Sequence, residues 1–243
     1  MYQYHQQQQQ YYQQNHPQYC HQGQYGASQT YGNYGQNMQQ NVFKMKAWEA
    51  YSMGTENELS AIFAHHVNKS ESNTRASGIQ SEDLCEILNQ TPSIRSYYGI
   101  TWSREMCSVL MAMLDRNPDG FMQWPEFLEL QQCLLAWHHL FKQRDLDRSG
   151  FIESEELIGV IRHFGYRIKP EVVETLLKRF SRVHSVNGSD RTLIAFDDFV
   201  TLSVRLRAYT DAFRKRDRSQ HGGQETGCTT FDYNDYLRCV MCL

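Results

Sequence analysis

Two short runs of oxygen-bearing side chains carry the chemistry of this sequence. The stronger is Asp145-Leu-Asp147-Arg-Ser149-Gly150-Phe151-Ile152-Glu153-Ser-Glu-Glu156. Counted from Asp145, oxygen donors fall at positions 1, 3, 5 and 9, glycine at 6, isoleucine at 8 and glutamate at 12. A hard cation such as Ca2+ takes six to eight oxygens at short range, and a tight loop with this spacing converges them. Asp145, Asp147 and Ser149 offer one side-chain oxygen each, Phe151 its carbonyl, Glu153 a direct or water-mediated contact, and Glu156 both oxygens. Gly150 permits a bend where a side chain would clash. A merely polar turn between helices has no need to fill every slot. The second run is Asp115-Arg-Asn117-Pro-Asp119-Gly120-Phe121-Met122-Gln123-Trp-Pro-Glu126, with slots at Asp115, Asn117, Asp119, the Phe121 carbonyl, Gln123 and Glu126. Asn-Pro-Asp-Gly alone would be a β-turn. Its first residue lies 30 positions before Asp145, however, which leaves room for one helix shared by both loops.

Three further stretches repeat this punctuation with ligands missing. Ile79-Gln-Ser-Glu-Asp83-Leu84 resembles the second half of such a loop, with Asp83 in place of the longer glutamate and no aspartate at ligand spacing before it. Its affinity for calcium is left open. Ala195-Phe-Asp197-Asp198-Phe199 has the right ending, but Ser181 to Arg191 is too long and lacks an acidic start, so that loop is expected to be empty. Asp217-Arg-Ser219-Gln-His221-Gly222 gains an insertion through Gly227 and ends at Asp235 without a glutamate, so it too is expected to be empty.

These loops need helices on both sides. Met106, Val109, Leu110, Met113 and Leu114 form a helical apolar stripe within Arg104 to Leu114. Phe127, Leu128, Leu130, Leu134, Leu135, Trp137, Leu140 and Phe141 predict one long helix joining the two loops. Leu157 to Phe164 predicts another that stops near Gly165, and Val172 to Phe180 a further one. Phe199 to Phe213 reads as a second long connector and Tyr233 to Met241 as a closing helix. Strand-length alternation is not evident, so the fold class is all-α: five EF-hand (helix–loop–helix) units with short paired β segments between loops. The pairing residues are Met122 and Ile152, with Ile79 and Ile194 as their candidate mates. Four units make two pairs. The fifth is left with an uncovered face, best satisfied by the same unit of a second copy.

Composition sets the boundaries. Met1 to Phe43 holds no Asp, Glu, Lys or Arg, and Gln with Tyr makes up about half of it. With almost nothing to bury it is expected to be a disordered tail. The division is thus a tail at 1–45 and a calcium-binding domain at 46–243, with hands near 57–89, 103–131, 133–164, 171–204 and 206–243. The net charge of −3 is mild and argues against nucleic acid as a partner. No run approaches the roughly 20 apolar residues that span a bilayer. Met1 to Gln10 lacks the pattern of a secretory signal. Seven cysteines at irregular spacing suggest reduced thiols in the cytosol rather than a disulfide framework.

The region from Glu56 to Leu243 resembles the penta-EF-hand family. Leu206-Arg-Ala-Tyr-Thr-Asp-Ala-Phe-Arg-Lys-Arg-Asp217, the ending Tyr236-Leu-Arg-Cys-Val-Met-Cys-Leu243 and Met113-Leu-Asp115-Arg look like its sorcin and grancalcin branch. The resemblance implies a cytoplasmic homodimer, joined through 206–243, that moves to membranes or membrane proteins when calcium rises. It implies calcium in the loops that begin at Asp115 and Asp145. The first hand departs from the family pattern at Asp83, and the fifth carries the insertion Gly223 to Gly227.

The function so expected is a calcium sensor and adaptor that changes shape and then engages target proteins or membranes. Met106, Met113, Trp137, Phe141 and Phe164 are candidates for the exposed surface; residues of these types also serve as plain core. The alternatives are a regulatory (small) subunit of a calpain-type protease and a passive calcium buffer. No enzyme is expected, and no small-molecule substrate. Cys239-Val-Met-Cys242 has redox spacing but closes the chain at a helix end, and His65-His66 and His138-His139 lack acidic or cysteine partners at metal spacing and are expected at the surface or an interface.

Overall fold

The computed structural model describes residues 45–71, 78–115, 117, 119–186 and 189–241. The expected tail, apart from Met45, and the centre of the first loop lie outside the described residues. Within them the chain runs α1 (Ala47–Ala50), α2 (Glu56–Glu71), α3 (Ser81–Gln90), α4 (Pro92–Tyr98), α5 (Arg104–Leu114) and α6 (Trp124–Arg144). It continues through β1 (Phe151–Glu153), α7 (Ser154–His163), α8 (Pro170–Phe180), β2 (Arg182–Val186), β3 (Ser189–Ala195), α9 (Phe196–Gln220) and α10 (Tyr233–Met241). Each loop found in the sequence is flanked by helices: α2 and α3, α5 and α6, α6 and α7, α8 and α9, α9 and α10. The fold is mostly helical with small antiparallel β segments.

α6 is the spine. It buries Leu134, Leu135, Trp137, Leu140 and Phe141, and a helix buried on more than one side belongs at the centre of a core. Pro125 in its first turn has no N–H to satisfy there, and its fixed φ suits a helix start. Ser103 starts α5 by accepting a hydrogen bond from the Met106 N–H at 3.1 Å. Phe141 packs its ring edge-on to Phe196 at 5.2 Å and tilted against Phe199 at 5.5 Å, fastening α6 to α9. Tyr51, just after α1, is buried and bonds through its hydroxyl to that of Tyr98 at 2.8 Å and to Gln131 of α6.

The predicted pairings are present. Ile79 and Met122 form an antiparallel bridge, with the N–H of each bonded to the carbonyl of the other at 3.0 and 2.9 Å. Ile152 lies opposite Ile194 in the β1–β3 ladder. All four side chains are at most 1 % exposed, so these residues are core as well as ladder. At the first bridge Gly78 is pressed so closely to the neighbouring strand that a Cβ there would lie 2.7 Å from the Met122 carbonyl oxygen. Gly78→Ala must therefore push the first two loops apart. A loss of about 1–3 kcal/mol in urea unfolding is expected, and an unchanged midpoint would contradict the contact.

Three expectations need correction. The fourth loop, merely too long in sequence, is a hairpin: β2 pairs with β3 from Arg182–Leu193 to Val186–Ser189, giving the sheet order β1-β3-β2. Its extra residues fold as strand because backbone groups in an over-long connection must still be paired. Second, His138 is core, not surface. It sits against Tyr97, Tyr98 and Phe196, and burial, with Lys142 and His139 adding to it, pushes its pKa down to about 4. Third, Cys228 is disulfide-bonded, whereas Cys85, Cys107, Cys133 and Cys239 are free. Spacing along a chain does not report which sulfurs meet in space.

Candidate metal centre

The two strong loops sit at opposite ends of α6. The loop from Asp115 leaves α5 and enters α6 at Glu126, and the loop from Asp145 leaves α6 and enters α7 at Glu156. Both turn at glycines in the left-handed region, with φ of 78° at Gly120 and 83° at Gly150. Side chains other than glycine adopt that region at a strain cost.

Each loop is folded around its first aspartate. Gly120 donates its N–H to Asp115 Oδ2 at 2.9 Å, and Gly150 donates to Asp145 Oδ2 at 3.1 Å. Position 5 steadies the turn: Asp119 Oδ1 accepts from the Phe121 N–H at 2.8 Å, while the Ser149 hydroxyl lies 3.3 Å from both Asp145 Oδ1 and the Phe151 nitrogen. Asp119 Oδ2 also accepts from the side chains of Asn117 at 2.7 Å and Gln123 at 3.0 Å. Hydrogen bonds from Ser149 to Asp147 hold that carboxyl below the usual carboxylate range, so it is ionised at neutral pH. Position 12 caps a helix. Glu126 accepts from the Gln123 N–H at 3.0 Å, and Glu156 accepts from the Glu153 N–H at 2.9 Å, each capping the outgoing helix. Glu153 also reaches Arg191 of β3 at 3.2 Å.

These residues suit a hard cation. Asp115 Oδ1 is buried without a hydrogen-bond partner, and the Asp145 side chain is fully buried. A buried ionised carboxylate is costly unless a positive charge compensates it. The oxygens are nonetheless not gathered: among the described residues, no three His, Cys, Asp or Glu side chains stand close enough together to hold an ion. Glu126 and Glu156 rest on their caps, and Asp119 and Asp147 on neighbouring backbone.

Reading for ligands alone overlooks a cation supplied by the chain. Lys142, one helical turn before Asp145, places Nζ 3.4 Å from Asp145 Oδ2. The i, i+3 spacing of a lysine before an aspartate is the signal that would have found it. An ammonium there offsets the buried charge and repels an incoming cation. Lys142→Gln is expected to tighten calcium binding at this loop by about two- to fivefold, as befits a half-exposed pair. The gain should shrink at high salt; calorimetry showing unchanged or weaker binding would contradict the role.

The other loops differ. Asp83 is buried and caps α3 through the Gln80 N–H at 3.0 Å, while the middle of its loop lies outside the described residues. In the fourth unit Arg182 lies 2.9 Å from Asp197 and 2.8 Å from Asp198, placing a guanidinium between the two carboxylates. In the fifth, Asp217 is fully buried among donors of its own loop.

No family model matches the chain. It is 36% identical to human sorcin over 163 residues, covering 67% of this chain and 75% of sorcin. It is 39% identical to human grancalcin over 165 residues, covering 68% of this chain and 69% of grancalcin. A solved structure of a homolog of programmed cell death 6 protein from Leishmania major Friedlin matches with a TM-score of 0.48 at 21% identity, covering 79% of this chain and 97% of that one. The likeness to sorcin and grancalcin settles the relationship: this chain belongs to the penta-EF-hand family, a calcium-binding family, and stands with its non-enzymatic sorcin and grancalcin members.

Proposed function

We propose that this protein is a calcium-dependent adaptor that holds Ca2+ in the loops 115–126 and 145–156 and then engages target proteins or membranes. The observation that carries this reading is the shared helix: Glu126 at the start of α6 and Asp145 at its end belong to different loops. A bound ion supplies the charge that draws position 12 inward. Glu126 and Glu156 would then carry α6 and α7 with them, since each carboxylate already caps its helix. Trp137, Phe141, Phe164 and Met106 are buried, and Met113 half-buried, so a target reaches them only once helices part. Between α5, α8 and α9 lies a cleft of about 210 Å³ lined by Met106, Val109, Phe180 and Val204 together with the charged Glu105, Arg179, Asp198 and Arg205.

A homodimer through 206–243 is part of the proposal. Tyr233, Tyr236 and Met241 on α10 are 74%, 54% and 74% exposed, and Tyr209 on α9 is 37% exposed. Apolar side chains spaced along one short helix are what a second copy would cover. No described helix is long and apolar enough to cross a membrane, and a cytoplasmic protein that moves to membranes with calcium fits the resemblance to sorcin. The test pairs apolar-dye fluorescence with sedimentation, in calcium and in chelator. A dye signal that rises with calcium at a constant dimer mass supports the adaptor. Binding without a dye response would leave a buffer, and a monomeric mass would remove the dimer.

A further inference from the structure

We propose that Cys85 and Cys107 are a reversible disulfide site, closed by a hydroperoxide, that ties the helix leaving the first hand to the helix entering the second. Both are free thiols, Cys85 on α3 and Cys107 one turn into α5, and α3 packs along α5. The two side chains meet, the Cys107 thiol sharing a hydrogen bond with that of Cys85. A disulfide forms only where two sulfurs can meet without large backbone movement, and here they are already in contact.

The pair is held in place from the α3 side. Asn89, one turn after Cys85, sets its amide nitrogen 3.3 Å from Cys85 Sγ and donates to the Trp102 carbonyl at 2.9 Å. Its own carbonyl accepts the Trp102 N–H at 2.9 Å, and Cys85 donates to the Trp102 carbonyl at 3.3 Å. Trp102 is 1 % exposed and lies two residues ahead of α5, so these bonds fix the start of α5 against α3.

The two sulfurs differ in access, which sets the order of events. Cys107 is fully buried, and burial, with Cys85 beside it, pushes its thiol pKa up, so it stays protonated and out of reach of an oxidant in solvent. Cys85 is half-buried and can be reached. The Cys85 sulfur takes the terminal oxygen of the hydroperoxide and becomes a sulfenic acid; the O–O bond breaks and the remainder leaves as water or an alcohol. The Cys107 sulfur then attacks the Cys85 sulfur. The S–S bond forms, the S–O bond breaks, and the Cys107 proton departs with the hydroxyl as water. The peroxide has gained the two electrons that the thiols lost, and a dithiol reverses the bond by exchange. The loops of these two hands are already bonded at Ile79 and Met122. A second tie on the helix side makes α3 and α5 move as one, and α5 leads directly to Asp115 of the second loop.

That consequence for the calcium response rests on the adaptor reading; the disulfide itself does not. The full chain is treated with a few equivalents of hydrogen peroxide and digested without reductant. Mass spectrometry should find the Cys85 and Cys107 peptides joined, two hydrogens lighter than their sum, in about half of the chains or more, and dithiothreitol should part them. Cys107→Ala should instead leave Cys85 as a sulfenic acid, captured by a cyclic diketone about tenfold more than in the wild type. A wild-type chain with oxidised Cys85 and no joined peptide would overturn the proposal without need of any variant, as would a Cys85 that stays a thiol. The rise in apolar-dye signal with calcium should fall about twofold or more in the joined chain and return with dithiothreitol. An equal rise in joined and reduced chains would overturn the link to the calcium response. No rise in the reduced chain would remove the adaptor reading and leave the disulfide standing.

Discussion

Glu156→Gln is expected to weaken calcium binding at the third loop by roughly 100-fold while leaving α7 intact. Outer-shell partners of metal ligands already cost 10–100-fold in affinity when removed, and a bidentate ligand should match the upper end of that range. Glutamine is the informative replacement because the cap and the proposed ligand share one carboxylate. Glu156 accepts the Glu153 N–H at 2.9 Å, and a glutamine carbonyl can still do so. Alanine would remove both interactions, and helix fraying would then be confused with lost binding. Calorimetry should show one site lost from the micromolar range with thermal stability in chelator unchanged. Equal affinity in the variant would mean that Glu156 does not clamp an ion.

The largest expected stability effect falls on Phe141→Ala. Phe141 is 1 % exposed and its ring meets Phe196 and Phe199, so it ties the shared helix α6 to the long helix α9. Truncating a buried phenylalanine costs about 3–5 kcal/mol, part lost transfer energy and part residual cavity. Domains of this kind are stable by only about 5–15 kcal/mol. Urea unfolding should therefore show a midpoint lowered by a large fraction. A change below about 1 kcal/mol would mean that the α6–α9 contact is not central to the fold.

What could be read from the residues alone follows the physics. Oxygen-bearing residues at fixed loop positions make the stretches from Asp115 and Asp145 stand out, and position 8 names the pairing residues Met122, Ile152, Ile79 and Ile194. Helices with one apolar stripe, such as α5, were legible for the same reason. The β2–β3 hairpin was not. Arg182 to Ala195 carries polar residues on both faces, so strand alternation was absent, and its pairing is set by the need to satisfy backbone in a long connection. His138 reads in sequence as a surface or interface residue because an imidazole packed on rings leaves no mark there. The roles of Lys142, Arg182 and Thr226 were equally hidden. Each supplies positive or donor character to a loop carboxylate: Lys142 to Asp145, which sequence reading treats as a ligand, and Arg182 and Thr226 to carboxylates of loops expected to be empty. Thr226 lies nine residues from Asp217 and meets it only because three glycines turn the insertion back.

Calorimetric titration of the purified chain with calcium tests the central claim most directly. The account predicts two sites, or three if the first hand contributes, with dissociation constants of about 10⁻⁷ to 10⁻⁵ M. One of them should vanish in Glu156→Gln. Absence of binding up to about 10⁻³ M, the weak end known for such loops, would contradict the assignment of both.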